Sequence, residues 1–148
     1  MGIGKEVKNT LLIFQKDFGK ILLENADIEK FREYAIGDNP VKYAIEYYYK
    51  KPLNQCSLKE IIEGIVTNIL FQNSSDSINY SDDGDHYSIN ISHSLGINMS
   101  KMIVIMQECL LKAYGVELES KFSERSVFFK VYKNPGPVKY SALKGLTK

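Results

Sequence analysis

The sequence predicts an α+β fold: N-terminal helices, then two antiparallel β-hairpins flanking a buried helix, which gives a four-stranded antiparallel sheet with helices on one face. Three observations carry that expectation. Apolar residues recur at helical spacing through the first half, alternate with period two in two later pairs of segments, and crowd a single segment between those pairs. Helices stacked on one face of an antiparallel sheet are the simplest layered solution to that order.

From Lys5 to about Glu24, Val7, Leu11, Phe14, Phe18, Ile21 and Leu22 mark one helical stripe, which Leu12, Ile13 and Leu23 widen. Such a helix is expected to touch more than one neighbour. Asp27 opens a second helix through Ile28, Phe31, Tyr34 and Ile36, with Gly37 placed to end it in a left-handed conformation. Asp38-Asn39-Pro40 restarts the chain, because proline suits the first helical position. The segment Val41 to Lys51 holds β-branched and aromatic residues that suit a strand as well; a helix is favoured, ended by Pro52.

Ser57-Leu58-Lys59-Glu60 is a capping box, and Ile61, Ile62, Ile65, Val66, Ile69 and Leu70 continue it as a helix to about Gln72. Ser77 to Tyr80 and Tyr87 to Ser92 then alternate around Asp82-Asp83-Gly84-Asp85, a hairpin signal. Asn98 or Ser100 caps the next helix and Gly115 ends it. Met102, Ile103, Ile105, Met106, Cys109, Leu110 and Ala113 leave it few polar positions, so it is expected to be the most buried. Val116 to Phe122 and Val127 to Tyr132 form the second hairpin, turning at Ser123-Glu124-Arg125. If Val127, Phe129 and Val131 face the helices, Phe128 and Tyr132 point to the other face, open to solvent or a partner. Residues 1–132 therefore read as a single α+β domain and residues 133–148 as a C-terminal tail.

Composition narrows the function. An apolar fraction of 44% and a charged fraction of 25% are those of a globular chain. A formal charge of +1 argues against a broad nucleic-acid footprint. Two cysteines do not make a disulfide framework. No apolar run has the length of a signal peptide or membrane span, so a cytoplasmic protein without a membrane partner is expected. Gly2 raises N-myristoylation, but Glu6 stands where that motif wants Ser or Thr. The triplets beginning at Asn73, Asn79, Asn90 and Asn98 fit N-glycosylation acceptors in form, yet follow from a Ser/Asn-rich composition.

Candidate chemistry is sparse. His86 and His93 lie seven apart along one strand, hence on opposite faces, and are poor partners for one metal. Asp82, Asp83 and Asp85 near His86 read more simply as a solvated turn than as a cation site. His93, in Ser92-His93-Ser94-Leu95-Gly96, sits where the sheet hands over to the buried helix and is a candidate ligand-binding residue. Cys109, inside that helix, is the second candidate; an apolar helix disfavours its thiolate, and core packing is the simpler reading. Cys56, just before the capping box, is a redox candidate without a base in nearby sequence. Tyr47-Tyr48-Tyr49-Lys50-Lys51 could stack on bases, but consecutive helical residues point apart and make no single platform. No Walker loop, dinucleotide fingerprint, zinc-protease helix or nucleophile elbow occurs, and no motif names a cofactor.

The hairpin at Ser77 to Ser92, the Leu95-Gly96 entry, the buried helix through Cys109 to Gly115, and Val127-Phe128-Phe129-Lys130-Val131 together resemble the vinyl-reductase-type and transport-particle-subunit-like small domains. The resemblance covers about half the chain. It implies a dimerising fold that encloses a small apolar ligand or serves as an assembly subunit. Vinyl-reductase-type domains often carry cysteines near the last strands; none follows Cys109 here, which speaks against metal or tetrapyrrole binding. The leading expectation is a non-catalytic regulatory or small-ligand-binding domain, homodimeric through helices too apolar all round for a small monomer. The alternatives are an assembly or scaffold subunit that binds another protein, and a small enzyme using His93 with Cys56 or Cys109 beside it.

Overall fold

The computed structural model describes residues 16–72 and 75–134. Among the described residues four helices come first: α1 (Lys16–Glu24), α2 (Ile28–Gly37), α3 (Pro40–Tyr49) and, after a 3₁₀ turn at Leu53–Gln55, α4 (Leu58–Gln72). Strands β1 (Ser77–Asp82) and β2 (His86–Ser92) lead into α5 (Ile97–Tyr114), and β3 (Leu118–Phe122) and β4 (Ser126–Tyr132) close the fold. The α+β expectation holds. The two hairpins lie side by side in the order β1-β2-β4-β3, all antiparallel, with β2 and β4 pairing at the centre.

Alternation along the strands sorts the two faces. Tyr87, Ile89, Ile91, Val127, Phe129 and Val131 are buried against the helices. Phe128 and Tyr132 fall on the other face and are half-buried there, beside polar neighbours such as Asn90, Lys130 and His86. Ile61, Ile62 and Ile65 of α4 and Leu110 and Leu111 of α5 complete the core, each at most 1% exposed. Full burial of one such side chain contributes roughly 1.5–3 kcal/mol. The helix expected to be most buried, α5, shares that rank with α4: Ala113 is exposed and Cys109 half-exposed, because α5 presents only one side to the sheet.

Local signals account for most element ends. Asp27 caps α2 through the Lys30 N–H at 3.1 Å, and Asn39 Oδ1 caps α3 through the Val41 and Lys42 N–H groups. The capping box is formed: Ser57 N–H donates to Glu60 Oε2 at 2.8 Å, and Glu60 N–H to Ser57 Oγ at 3.2 Å. The segment of close helix–strand balance, Tyr43 to Lys51, is helical to Tyr49, where Lys50 adopts a left-handed conformation with φ 58°. Gly115, at φ 102°, ends α5 with its N–H on the Leu111 and Lys112 carbonyls. A residue with a side chain resists that conformation.

Three expectations need correction. Gly37 is not left-handed; α2 stops with the Asp38 N–H on the Tyr34 carbonyl, because Asn39 precedes a proline and is held extended at ψ 111°. Neither Asn98 nor Ser100 caps α5; Gly96 holds the cap position, while Asn98 Nδ2 donates to the Leu23 carbonyl at 2.8 Å and Ser100 Oγ to the Ser123 carbonyl at 2.6 Å. Both side chains are drawn away by tertiary partners. Strand β3 begins at Leu118 rather than Val116, since the Val116 N–H is used in closing α5. Phe18, Ile21 and Leu22 of α1 are exposed. Val7, Leu11 and Phe14 of that stripe lie outside the described residues, as does the tail from residue 135; Lys133 itself is tied to the first hairpin through the Asp85 carbonyl and the Asp82 carboxylate.

Gly64 sets the approach of α3 to α4. A Cβ built there would lie 2.7 Å from Ile45 Cγ1, inside any real contact, so the two helices sit closer than side chains at both positions allow.

Candidate functional site

His93 is buried at the junction of β2 and α5, at 2% exposure. Its Nδ1 accepts the Leu95 N–H at 3.1 Å, which fixes the proton on Nε2; Nε2 therefore donates to Ser100 Oγ at 2.7 Å. Ser100 passes the chain on to the Ser123 carbonyl, and the His93 N–H reaches the Arg125 carbonyl at 2.9 Å. The result is a latch between the entry to α5 and the β3–β4 turn. Burial pushes the imidazole below its ordinary value, against a smaller opposing pull from Asp76. It is a neutral ring with both nitrogens engaged inside the protein.

Cys109 lies nine residues beyond Ser100 on α5, about 13 Å along the axis, so the two predicted site residues are not brought together. Desolvation raises its thiol, and the nearby cations Arg32 and Lys112 offset this in part. Cys56 is buried with its sulfur 3.6 Å from the Pro52 carbonyl, and burial raises it as well. Both are thiols at neutral pH, not thiolates.

The acidic hairpin tip is tied to itself. Asp82 is held low by the Lys133 ammonium, Asp83 by the Ser88 hydroxyl and Asp85 by His86. Among the described residues no group of three or more His, Cys, Asp or Glu is arranged to hold a metal ion, and no helix is long and apolar enough to cross a membrane.

A different place has the makings of a site. Met99, Met102, Ile103, Met106 and Gln107 share one side of α5, at positions i, i+3, i+4, i+7 and i+8. They face Phe31 of α2, Val41 of α3 and Ile69 of α4 across a half-open cleft of about 230 Å³. Asn68 and Gln72 stand at its rim, with Gln72 Nε2 donating to Asn68 Oδ1 at 3.0 Å. Among the described residues no charged side chain lines it. Asn39 braces the wall, its Nδ2 on the Met106 carbonyl at 3.0 Å.

Gln107 is the exception in this lining. It is 3% exposed, and among the described residues its Oε1 has no hydrogen-bond partner. A buried acceptor left unmatched costs roughly 1–3 kcal/mol. A larger cleft of about 300 Å³ between Lys42, Glu46, Leu53 and Tyr114 lacks such a group: Glu46 accepts the Leu53 N–H and pairs with Lys42, and Tyr114 donates to the Cys56 carbonyl. A third, of about 80 Å³, is a shallow groove between α3 and α4 under Tyr48 and Phe71.

Sequence reasoning looked to His93 and passed over Gln107. The signal was present, since Gln107 is an amide on the side of α5 otherwise given to methionine and isoleucine. No curated protein and no solved structure matches the chain. A family model does, over most of its length: the chain belongs to the AF_0136 family, its residues 22–132 matching that family's C-terminal domain.

Proposed function

We propose that this protein is a non-catalytic, regulatory small-ligand-binding domain whose site is the methionine-lined cleft between α2, α3, α4 and α5. The carrying observation is the lining of the cleft, three methionines with Phe31, Val41, Ile69 and Ile103, a few amides and, among the described residues, no charged side chain. Apolar pockets with a few placed polar groups are the usual form of small-molecule sites. Methionine side chains adapt to differently shaped occupants. The sequence resemblance to vinyl-reductase-type and transport-particle-subunit-like domains implies either an enclosed apolar ligand or an assembly subunit, and the cleft favours the first. An enzyme built on His93 has less support, because catalysis would need a ring nitrogen that is now engaged inside the protein.

Native mass spectrometry of the purified protein, before and after denaturation, tests the proposal. The expected result is a small molecule released at about one per chain. A stoichiometric second protein in its place would favour the assembly-subunit reading and count against a ligand sensor.

A homodimer is part of the proposal, and one surface supports it. Tyr48 and Phe71, at 66% and 77% exposure, line a groove beside the close α3–α4 contact. Aromatic anchors of this kind dominate interface energies. Phe71→Asp is expected to weaken self-association about 30-fold or more, read by sedimentation velocity across a concentration series. A wild-type chain that stays strictly monomeric at high concentration removes the dimer from the proposal.

A further inference from the structure

We infer that the free edge of β3 is a self-pairing surface: two copies of the chain join strand to strand, antiparallel, about a two-fold axis at Ser120. The surface is distinct from the methionine-lined cleft and from the α3–α4 groove, and it depends on neither.

β3 is an edge strand bonded on one side to β4, and among the described residues nothing pairs with its other side. The Tyr132 N–H donates to the Glu117 carbonyl at 3.0 Å and the Ser123 N–H to the Ser126 carbonyl at 2.8 Å. That pattern turns the odd-numbered backbone groups of β3 toward β4. The N–H and C=O groups of Leu118, Ser120 and Phe122 therefore point outward, a template for another strand. A register that joins these groups must set even residues against even ones. With Ser120 on the axis, Ser120 meets its own counterpart, Leu118 meets Phe122 of the second copy, and Glu119 meets Lys121.

The side chains agree with that register. Leu118 and Phe122 lie on the helix side, opposite Val131 and Val127, and Phe122 is 46% exposed in the single chain. Pairing brings their apolar surfaces together. Glu119 and Lys121 are exposed on the open face, where each carboxylate meets an ammonium. Opposite charges directly across an antiparallel pair stabilise it, and like charges oppose it. An axis at Glu119 sets two carboxylates against each other, and an axis at Lys121 sets two ammonium groups together. Charge thus selects Ser120. The other edge, β1, offers no such match: about Tyr80, Ile78 meets Asp82 and Asn79 meets Ser81.

Backbone-amide hydrogen exchange, followed by NMR on the full chain across a concentration series, tests the pairing. Exchange at Leu118, Ser120 and Phe122 is expected to slow about tenfold from the dilute to the concentrated end. Glu119 and Lys121, whose N–H groups already face β4, are expected to keep one rate. Lys121→Glu and Glu119→Lys should each weaken the pairing about tenfold, read at the Ser120 amide. An equimolar mixture of the two variants should restore it, because every cross-strand pair is then opposite in charge. Amides of β3 that ignore concentration overturn the inference. Slowing confined to α3 and α4 overturns it too, and leaves the groove dimer standing. A mixture that pairs no better than its components overturns the Ser120 axis. If neither variant folds, the wild-type alternation of amides decides.

Discussion

Ser100→Ala is expected to lower the free energy of unfolding by about 2–4 kcal/mol, the cost of one orphaned buried donor plus one lost hydrogen bond. Ser100 is 0% exposed and stands between two partners. Its removal leaves the His93 Nε2–H facing a methyl group and the Ser123 carbonyl without its donor. The ring cannot compensate by turning to its other nitrogen, because His93 Nδ1 is already engaged with the Leu95 N–H. Urea denaturation of the purified variant measures the loss. Ser92→Ala supplies the comparison: the Ser92 hydroxyl bonds Ser77 Oγ at an exposed strand end, and its loss is expected within about 0.5 kcal/mol of neutral. Equal effects for the two variants would refute the latch as a source of stability.

Acid is expected to open the same latch. The folded protein holds His93 below its ordinary value near 6.5, so the unfolded chain binds a proton more readily than the native one. Stability from this residue is therefore fully present above about pH 6.5 and is lost as pH falls from there toward the folded value. Each tenfold difference in proton affinity between the two states is worth about 1.4 kcal/mol. The structural cause is plain: a protonated ring would set Nδ1–H against the Leu95 N–H, donor against donor, in a desolvated place. Asp76 is the nearby negative charge and softens the effect. The measurement is urea denaturation from pH 8 to 5 in a His86→Gln background, so that His93 is the only histidine titrating. A further His93→Gln change should flatten the dependence; an unchanged slope would assign the acid sensitivity to another group.

The fold was legible where local chemistry and periodicity agree. The Ser57–Glu60 capping box, the Asp-Gly turn and the alternation of Val127, Phe129 and Val131 each require one conformation, and each is found. The misplaced cap of α5 has a tertiary cause. Asn98 and Ser100 carry the right chemistry to cap α5, but Leu23 and Ser123, distant in sequence, claim their side chains. The site was less legible for the same reason. His93 looks reactive beside Ser92 and Ser94, yet its hydrogen bonds run to Leu95, Ser100 and Arg125, and only the fold reveals that they are complete. Gln107 looks like an ordinary helical amide until Phe31, Val41 and Ile69 close around it.

The central pairing of β2 with β4 also shapes how the chain reaches its native state. Each hairpin closes through a short turn, but Ile89 meets Phe129 only after forty residues, all of α5 among them. Closing a loop of that length costs roughly 3 kcal/mol of chain entropy before the sheet returns anything. A helix already formed shortens the span that must be searched, so collapse of α5 onto either hairpin lowers the barrier to joining the two halves. The slow event in forming this domain is then the zipping of two ready-made ribbons, with α5 as the spring between them.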